Sequence, residues 1–215
     1  MMDLKQKALQ IYNLLNKEYP NAKVSLNFSN PLEMLVATIL SAQCTDKRVN
    51  IVTPALFKKY KNAKNYANAN ISELEQMIRS TGFYKAKAKS IQNSCKIILT
   101  KYNEKVPNKM QDLIQLPGVA RKTANIVLGN AYGIVEGIAI DTHMKRVNFR
   151  LGLTKNTDPD KIEKDLMEIL PKEKWFKFTY LIIEHGRAIC KAPIPICSTC
   201  IMFKICSREG VNKYN

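Results

Sequence analysis

Apolar positions recur at helical spacing along almost the whole chain. Leu4, Ala8, Ile11, Leu15 and Tyr19 line one stripe, which predicts an amphipathic helix over 3–19 that Pro20 stops. Residues 31–42 open with Pro31 and carry Leu32, Met34, Leu35, Val36, Ala37, Ile39 and Leu40. A helix that is apolar nearly all round belongs at the centre of a core. Apolar residues then give way to Ser41-Ala42-Gln43-Cys44-Thr45-Asp46, where Asp46 can cap a further helix. Ser72 and Glu75 read as a capping box before Leu74, Met77 and Ile78, and Gly82 ends that helix. The next helix is expected over 85–102, with Ile91, Cys95, Ile98, Leu99 and Tyr102 inward and Lys85, Lys87 and Lys89 near its start. Asp141 is an apparent cap for 142–150, and Asp158-Pro159 open a helix with Ile162, Leu166, Ile169 and Leu170 inward, up to Pro171. Trp175, Phe176, Thr179, Ile182 and Ile183 mark a last long helix running toward Cys190. No alternation is long enough for a sheet, so the fold class is all-α.

Mid-chain, one stripe of Met110, Leu113, Ile114 and Leu116 is stopped by Pro117-Gly118, and another begins at Ala120, Ala124, Val127 and Leu128. Two helices joined so tightly leave the first amides of the second pointing outward at a turn where Gly118 has no Cβ to hold a ligand off. Such amides bind phosphate, helped by the helix dipole. Lys122 lies in the first turn, where the dipole, Arg121 and burial would all disfavour a charged amine. The helix is expected to run to Tyr132 and end at Gly133. The residues 133–140 that follow can extend up to about 27 Å, against a climb of about 18 Å for the helix, enough to return Asp141 beside Lys122.

Charge narrows the partner. The 34 Lys and Arg against 18 Asp and Glu give a net charge of +16, and a polyanion is the leading class of partner. No apolar run approaches the length of a membrane span, and Met1 to Gln10 carry no secretory pattern, so a cytoplasmic protein is expected. Cys190, Cys197, Cys200 and Cys206 crowd into the tail, where a metal site is favoured over disulfides. Four thiolates suit zinc or a cubane iron–sulfur cluster, although only one pair, Cys197 and Cys200, has the two-residue gap usual for zinc. Cys44 and Cys95 read as buried small apolar residues.

Leu-Pro-Gly-Val-Ala-Arg-Lys-Thr-Ala over 116–124 resembles the helix-hairpin-helix of DNA glycosylases, and most closely the endonuclease III branch. The Ser-Ala-Gln phrase at 41–43, Ala-Ile-Asp-Thr-His at 139–143 and the spacing of the four tail cysteines after Glu-His-Gly-Arg resemble the same family, over roughly residues 20–206. The resemblance implies a two-lobed fold: residues 21–132 as a helical barrel lobe, and 1–20 with 133–215 as a lobe carrying a four-iron four-sulfur loop. It implies that Lys122 and Asp141 are catalytic and that Cys190, Cys197, Cys200 and Cys206 hold a 4Fe-4S cluster. Gln43 and His143 would contact the gap left by an extruded base, Phe83 would be the apolar wedge, and Gly118, Val119 and Ala120 would hold phosphate.

The function so implied is a bifunctional DNA glycosylase and abasic-site lyase that removes oxidised pyrimidines from damaged double-stranded DNA. It would act as a monomer in the cytoplasm, with the nucleoid in a prokaryote. Two alternatives differ in class. A monofunctional or mismatch-adenine glycosylase would share hairpin and cysteines but excise without a lysine nucleophile; it would carry a carboxylate on the apolar helix, where this chain has Thr38. In a non-catalytic DNA-binding module, the residues alone make Asp141 a helix cap, Phe83 a core plug, and Gln43 and His143 polar neighbours of helix ends.

Overall fold

The computed structural model describes residues 3–215, and among them every regular element is helical. The chain divides into two compact units, one comprising Ser25–Glu136 and the other the residues up to Val24 together with Gly137–Asn215. The sequence expectation puts the changeovers after residues 20 and 132.

The second unit begins with α1 (Leu4–Glu18), which buries Ala8, Ile11 and Leu15. Leu4, expected on that stripe, is 40% exposed because it sits in the helix's first turn, beyond the cover of its neighbours. The Ser25–Glu136 unit is built on α2 (Pro31–Ser41), in which every residue from Met34 to Leu40 is buried. Its start is fixed from both sides: Asn30 accepts from the Glu33 amide and Glu33 accepts from the Ser29 amide. Around it lie α3 (Asp46–Lys59), α4 (Ala63–Ala67), α5 (Ile71–Ile78), a 3-10 turn at Arg79–Thr81, α6 (Tyr84–Lys101), α7 (Met110–Leu113) and α8 (Arg121–Val127). Helices α3, α6 and α8 pack directly on α2.

Two caps fall elsewhere than the sequence suggests. Thr45, not Asp46, caps α3 by accepting from the Arg48 amide, and Asp46 becomes a first-turn acid favoured by the dipole. Asn70, not Ser72, caps α5 by accepting from the Glu73 amide. In both cases the residue with extended backbone takes the cap, and the expected residue already lies inside the helix. The helix expected through residue 132 instead relaxes after Val127 into a π-helical turn, Leu128–Tyr132, closed at Gly133. Ile114 is 44% exposed, since α7 lasts a single turn and the chain has already turned outward.

The other unit adds α9 (Thr142–Leu151), α10 (Pro159–Ile169) and α11 (Lys172–Ala188) to α1. Its core gathers Ile11, Leu15, Met144, Val147, Leu166, Phe178 and Leu181 with Met202 from the cysteine tail. Burying a Leu- or Phe-sized side chain is worth about 1.5–3 kcal/mol, so this apolar centre is what holds the irregular tail to the helices. No helix among the described residues is long and apolar enough to cross a membrane.

Candidate nucleic-acid interface and cysteine site

The hairpin is assembled by packing against α6. Gly118 takes φ +78°, and its Val119 neighbour closes the turn by donating from its amide to the Leu116 carbonyl at 3.0 Å. Ser94 Oγ donates to the Pro117 carbonyl at 2.9 Å, which ties the turn to α6. Val119 is buried and pins the turn from within, whereas Gly118, Ala120 and Lys122 are exposed. The start of α8, which no side chain caps, therefore sits beside two cations, Arg121 and Lys122, an arrangement suited to a phosphate oxygen. The exposure of Lys122 corrects the expectation of a buried amine: α8 turns that residue outward while Ala124 and Val127 face in.

Gln43 and Phe83 both stand on turns in left-handed backbone, with φ of 51° and 47°. Phe83 is 66% exposed. A phenyl ring filling the core under a turn would be buried, so that alternative fails. Of the lysines near it, Lys85 and Lys89 are exposed, but Lys87 is buried and donates to the Leu40 and Thr81 carbonyls. It is not part of a cationic rim as its position in the sequence suggests. Cys44 is half-buried rather than core, because it lies on the Gln43 turn; Cys95 is buried as expected, and burial pushes its thiol up to about 12.

In the other unit Asp141 caps α9, accepting from the Met144 amide at 2.7 Å, and is half-buried. His143 Nδ1 lies 3.1 Å from an Arg146 guanidinium nitrogen, which also donates to the Gly186 and Cys190 carbonyls. A guanidinium is always a donor, so Nδ1 accepts and the ring carries its proton on Nε2. Lys122 and Asp141 belong to different units.

Cys190, Cys197, Cys200 and Cys206 all line one cavity, together with Arg150, His185 and Met202. Burial raises the Cys197, Cys200 and Cys206 thiols, Cys200 to about 11, and their mutual proximity adds to it. Four cysteines in a shared chamber are a donor set suited to a metal centre, which would take the place of their protons. Donors are already in place: Arg150 reaches the Cys190 sulfur at 3.5 Å while its guanidinium also holds the Lys191 and Pro193 carbonyls. His185 Nε2 lies 3.6 Å from the Cys200 sulfur, and burial pushes its pKa down to about 4, leaving the ring neutral at pH 7. Sequence reading missed Arg150 and His185. His185 continues the inward register of Phe178, Leu181 and Ile182 on α11, and that was the signal available.

Comparison with known proteins now decides the family. Residues 36–172 match the HhH-GPD superfamily of base excision DNA repair proteins. The endonuclease III of Synechocystis sp. is 51% identical over 96% of this chain and 94% of its own length. The chain belongs to the endonuclease III family. An endonuclease III structure in a non-covalent DNA complex superposes with a TM-score of 0.92 at 42% identity, over 97% of both chains. A second family structure, a trapped covalent intermediate with DNA, superposes equally well, with a TM-score of 0.92. The family thus accounts for a helical chain with no strand among its described residues and a hairpin at its middle.

Proposed function

We propose that Lys122 is the nucleophile and Asp141 the assisting carboxylate of this chain, a DNA glycosylase and abasic-site lyase for oxidised pyrimidines in damaged duplex DNA. The observation that carries this reading is Lys122 exposed in the first turn of α8, directly after a hairpin turn that no side chain caps. Relatives support it: one family member has been captured in a covalent complex with DNA.

The chemistry follows from an amine at the anomeric carbon. The Lys122 amine, having given up its ammonium proton, forms a bond to C1′ as the glycosidic C–N bond breaks; the nucleobase leaves with the bonding electrons and takes up a proton, and the bonded nitrogen sheds one. The Asp141 carboxylate offsets positive charge developing on the sugar and assists proton transfer. Ring opening gives a Schiff base between Lys122 and C1′, which acidifies the C2′ proton. Loss of that proton breaks the C3′–O bond by β-elimination and cuts the strand; water then frees the lysine.

Phe83 enters the stack as an apolar wedge, and Gln43 and His143 occupy the gap the extruded base leaves. Gly118 and Ala120 present the backbone that holds the phosphate, while Val119, expected to join them, is buried with its amide on the Leu116 carbonyl and instead fixes the turn. Cys190, Cys197, Cys200 and Cys206 would hold a 4Fe-4S cluster, which would organise a tail that lacks regular structure. A cluster fits better than zinc, because the four thiols line a common chamber and only Cys197 and Cys200 have the two-residue gap usual for zinc. The enzyme acts as a cytoplasmic monomer.

Asp141→Asn tests the division of labour. Asparagine caps a helix as well as aspartate, so α9 is kept and only the charge goes. The variant is expected to bind an oxidised-pyrimidine duplex normally and release the base at least about a hundredfold more slowly in single turnover. Unchanged base release would remove Asp141 from the mechanism.

A further inference from the structure

Lys87 is the one lysine of the alternating run at the start of α6 that is buried, with 5% of its surface exposed, while Lys85 and Lys89 are exposed. Its register explains the difference, since Lys87 precedes Ile91 by one turn on the inward face that continues through Ser94, Cys95 and Ile98. Its Nζ donates to the Leu40 carbonyl at 2.8 Å and to the Thr81 carbonyl at 2.8 Å. Both carbonyls lie in the last turns of helical segments, α2 and the 3-10 turn Arg79–Thr81, where no amide of the same helix remains to donate. One ammonium thus closes two helix C-termini and meets the negative end of each dipole.

What leaves those two capped ends matters for function. Three residues beyond Leu40 the chain turns through Gln43, and two residues beyond Thr81 through Phe83, each with the positive φ that side-chain-bearing residues seldom adopt. These are the residues read above as gap-filler and wedge. Burial pushes the Lys87 pKa below its ordinary value, with Cys44 on the Gln43 turn opposing the shift. A desolvated ammonium is a costly anchor, and a lysine that only filled space would be replaced without loss by methionine.

We propose that Lys87 is a positioning residue for base extrusion, holding the Phe83 and Gln43 turns at a fixed separation through its two carbonyl bonds. The proposal rests on the reading of those two turns as the DNA-entering elements. A base leaves the duplex only when the wedge unstacks the step and a side chain fills the gap in the same event, so the spacing between the two turns is as important as either residue. At a preformed abasic site there is no base to extrude, and the spacing matters little.

The test is a cycle on the full-length, cluster-loaded protein. Lys87→Met removes both donors at nearly constant length; Phe83→Ala with Gln43→Ala removes both side chains it is said to position. Single-turnover excision of an oxidised pyrimidine and cleavage at a preformed abasic site are measured for each. Lys87→Met is expected to slow excision about tenfold or more with abasic cleavage within about threefold, and to add no more than about twofold in the doubly substituted background. Equal losses on both substrates, or the same further factor in that background, would overturn the proposal by reducing Lys87 to a fold-stabilising contact. Wild-type excision by the Phe83→Ala, Gln43→Ala protein would overturn it from the other side, by removing the role of the turns. Should Lys87→Met not accumulate folded, Lys87→Arg carries the same criterion: any loss has to fall on excision and spare abasic cleavage, and an equal loss on both substrates refutes it.

Discussion

Replacing Gly118 by alanine perturbs the hairpin without touching a charge. At φ +78° a Cβ costs an L-residue about 1–2 kcal/mol. The new atom would also lie 3.0 Å from Ser90 Cβ and 3.1 Å from Ser90 Oγ, both on α6. A Cβ within a helix cannot rotate away, so the hairpin has to move by a few tenths of an ångström, which adds about 1 kcal/mol at the low end of overpacking. The expected loss is therefore roughly 2–3 kcal/mol of unfolding free energy. Urea denaturation of Gly118→Ala, Ser90→Gly and the double variant separates the two contributions. Ser90→Gly alone costs about 0.5 kcal/mol of helix propensity, and in the double variant it should restore the clash part, about 1 kcal/mol, and leave the backbone part. Duplex binding at fixed salt should weaken in Gly118→Ala, since the exposed Ala120 backbone moves with the turn. A loss below about 0.5 kcal/mol, or a strictly additive cycle, would refute this account of how the turn is built.

Two other expectations concern the cysteine site. The purified protein should carry about four iron and four acid-labile sulfide per chain, and Cys197→Ser should lose most of both; one zinc and no sulfide would reject the cluster. His185 gives a pH dependence with a definite sign. Its folded pKa, near 4, lies below the unfolded value of 6.5, so its contribution is complete above 6.5 and is lost as pH falls toward 4. Stability by denaturant titration should drop by about 2 kcal/mol more between pH 7 and 5 in the parent than in His185→Gln. Identical pH profiles would contradict the burial assigned to that ring.

What the sequence shows well is whatever a single periodicity decides. The unbroken apolar run of α2 reads as a central helix, and all of Met34 to Leu40 is buried. Asp141 and Asp158 read as caps and act as caps. Where several residues of the right type stand close together, the pattern gives no means of choosing. Asn70 and Ser72, or Thr45 and Asp46, are all good caps, and backbone dihedrals set by packing select between them. Lys87 looks like its neighbours Lys85 and Lys89 until the register of Ile91 is followed back one turn. The hairpin was legible as a phrase, but its support was not: Ser90 and Ser94 are ordinary polar residues until the turn rests on them. Arg150 escaped notice because its partners, a sulfur and tail carbonyls, come from a segment with no periodicity at all, and His185 because it sits between that tail and Tyr19, far apart in sequence.

The nucleophile can be identified directly by borohydride reduction of the protein with a duplex containing one abasic site. The Schiff base is then fixed as a stable amine, and peptide mapping locates it. The adduct is expected on Lys122 in the wild-type chain, and Lys122→Gln should bind the same duplex while losing the trapped adduct and strand cleavage together. An adduct formed by Lys122→Gln at the wild-type rate, or mapped to another amine in the wild-type chain, would contradict the assignment.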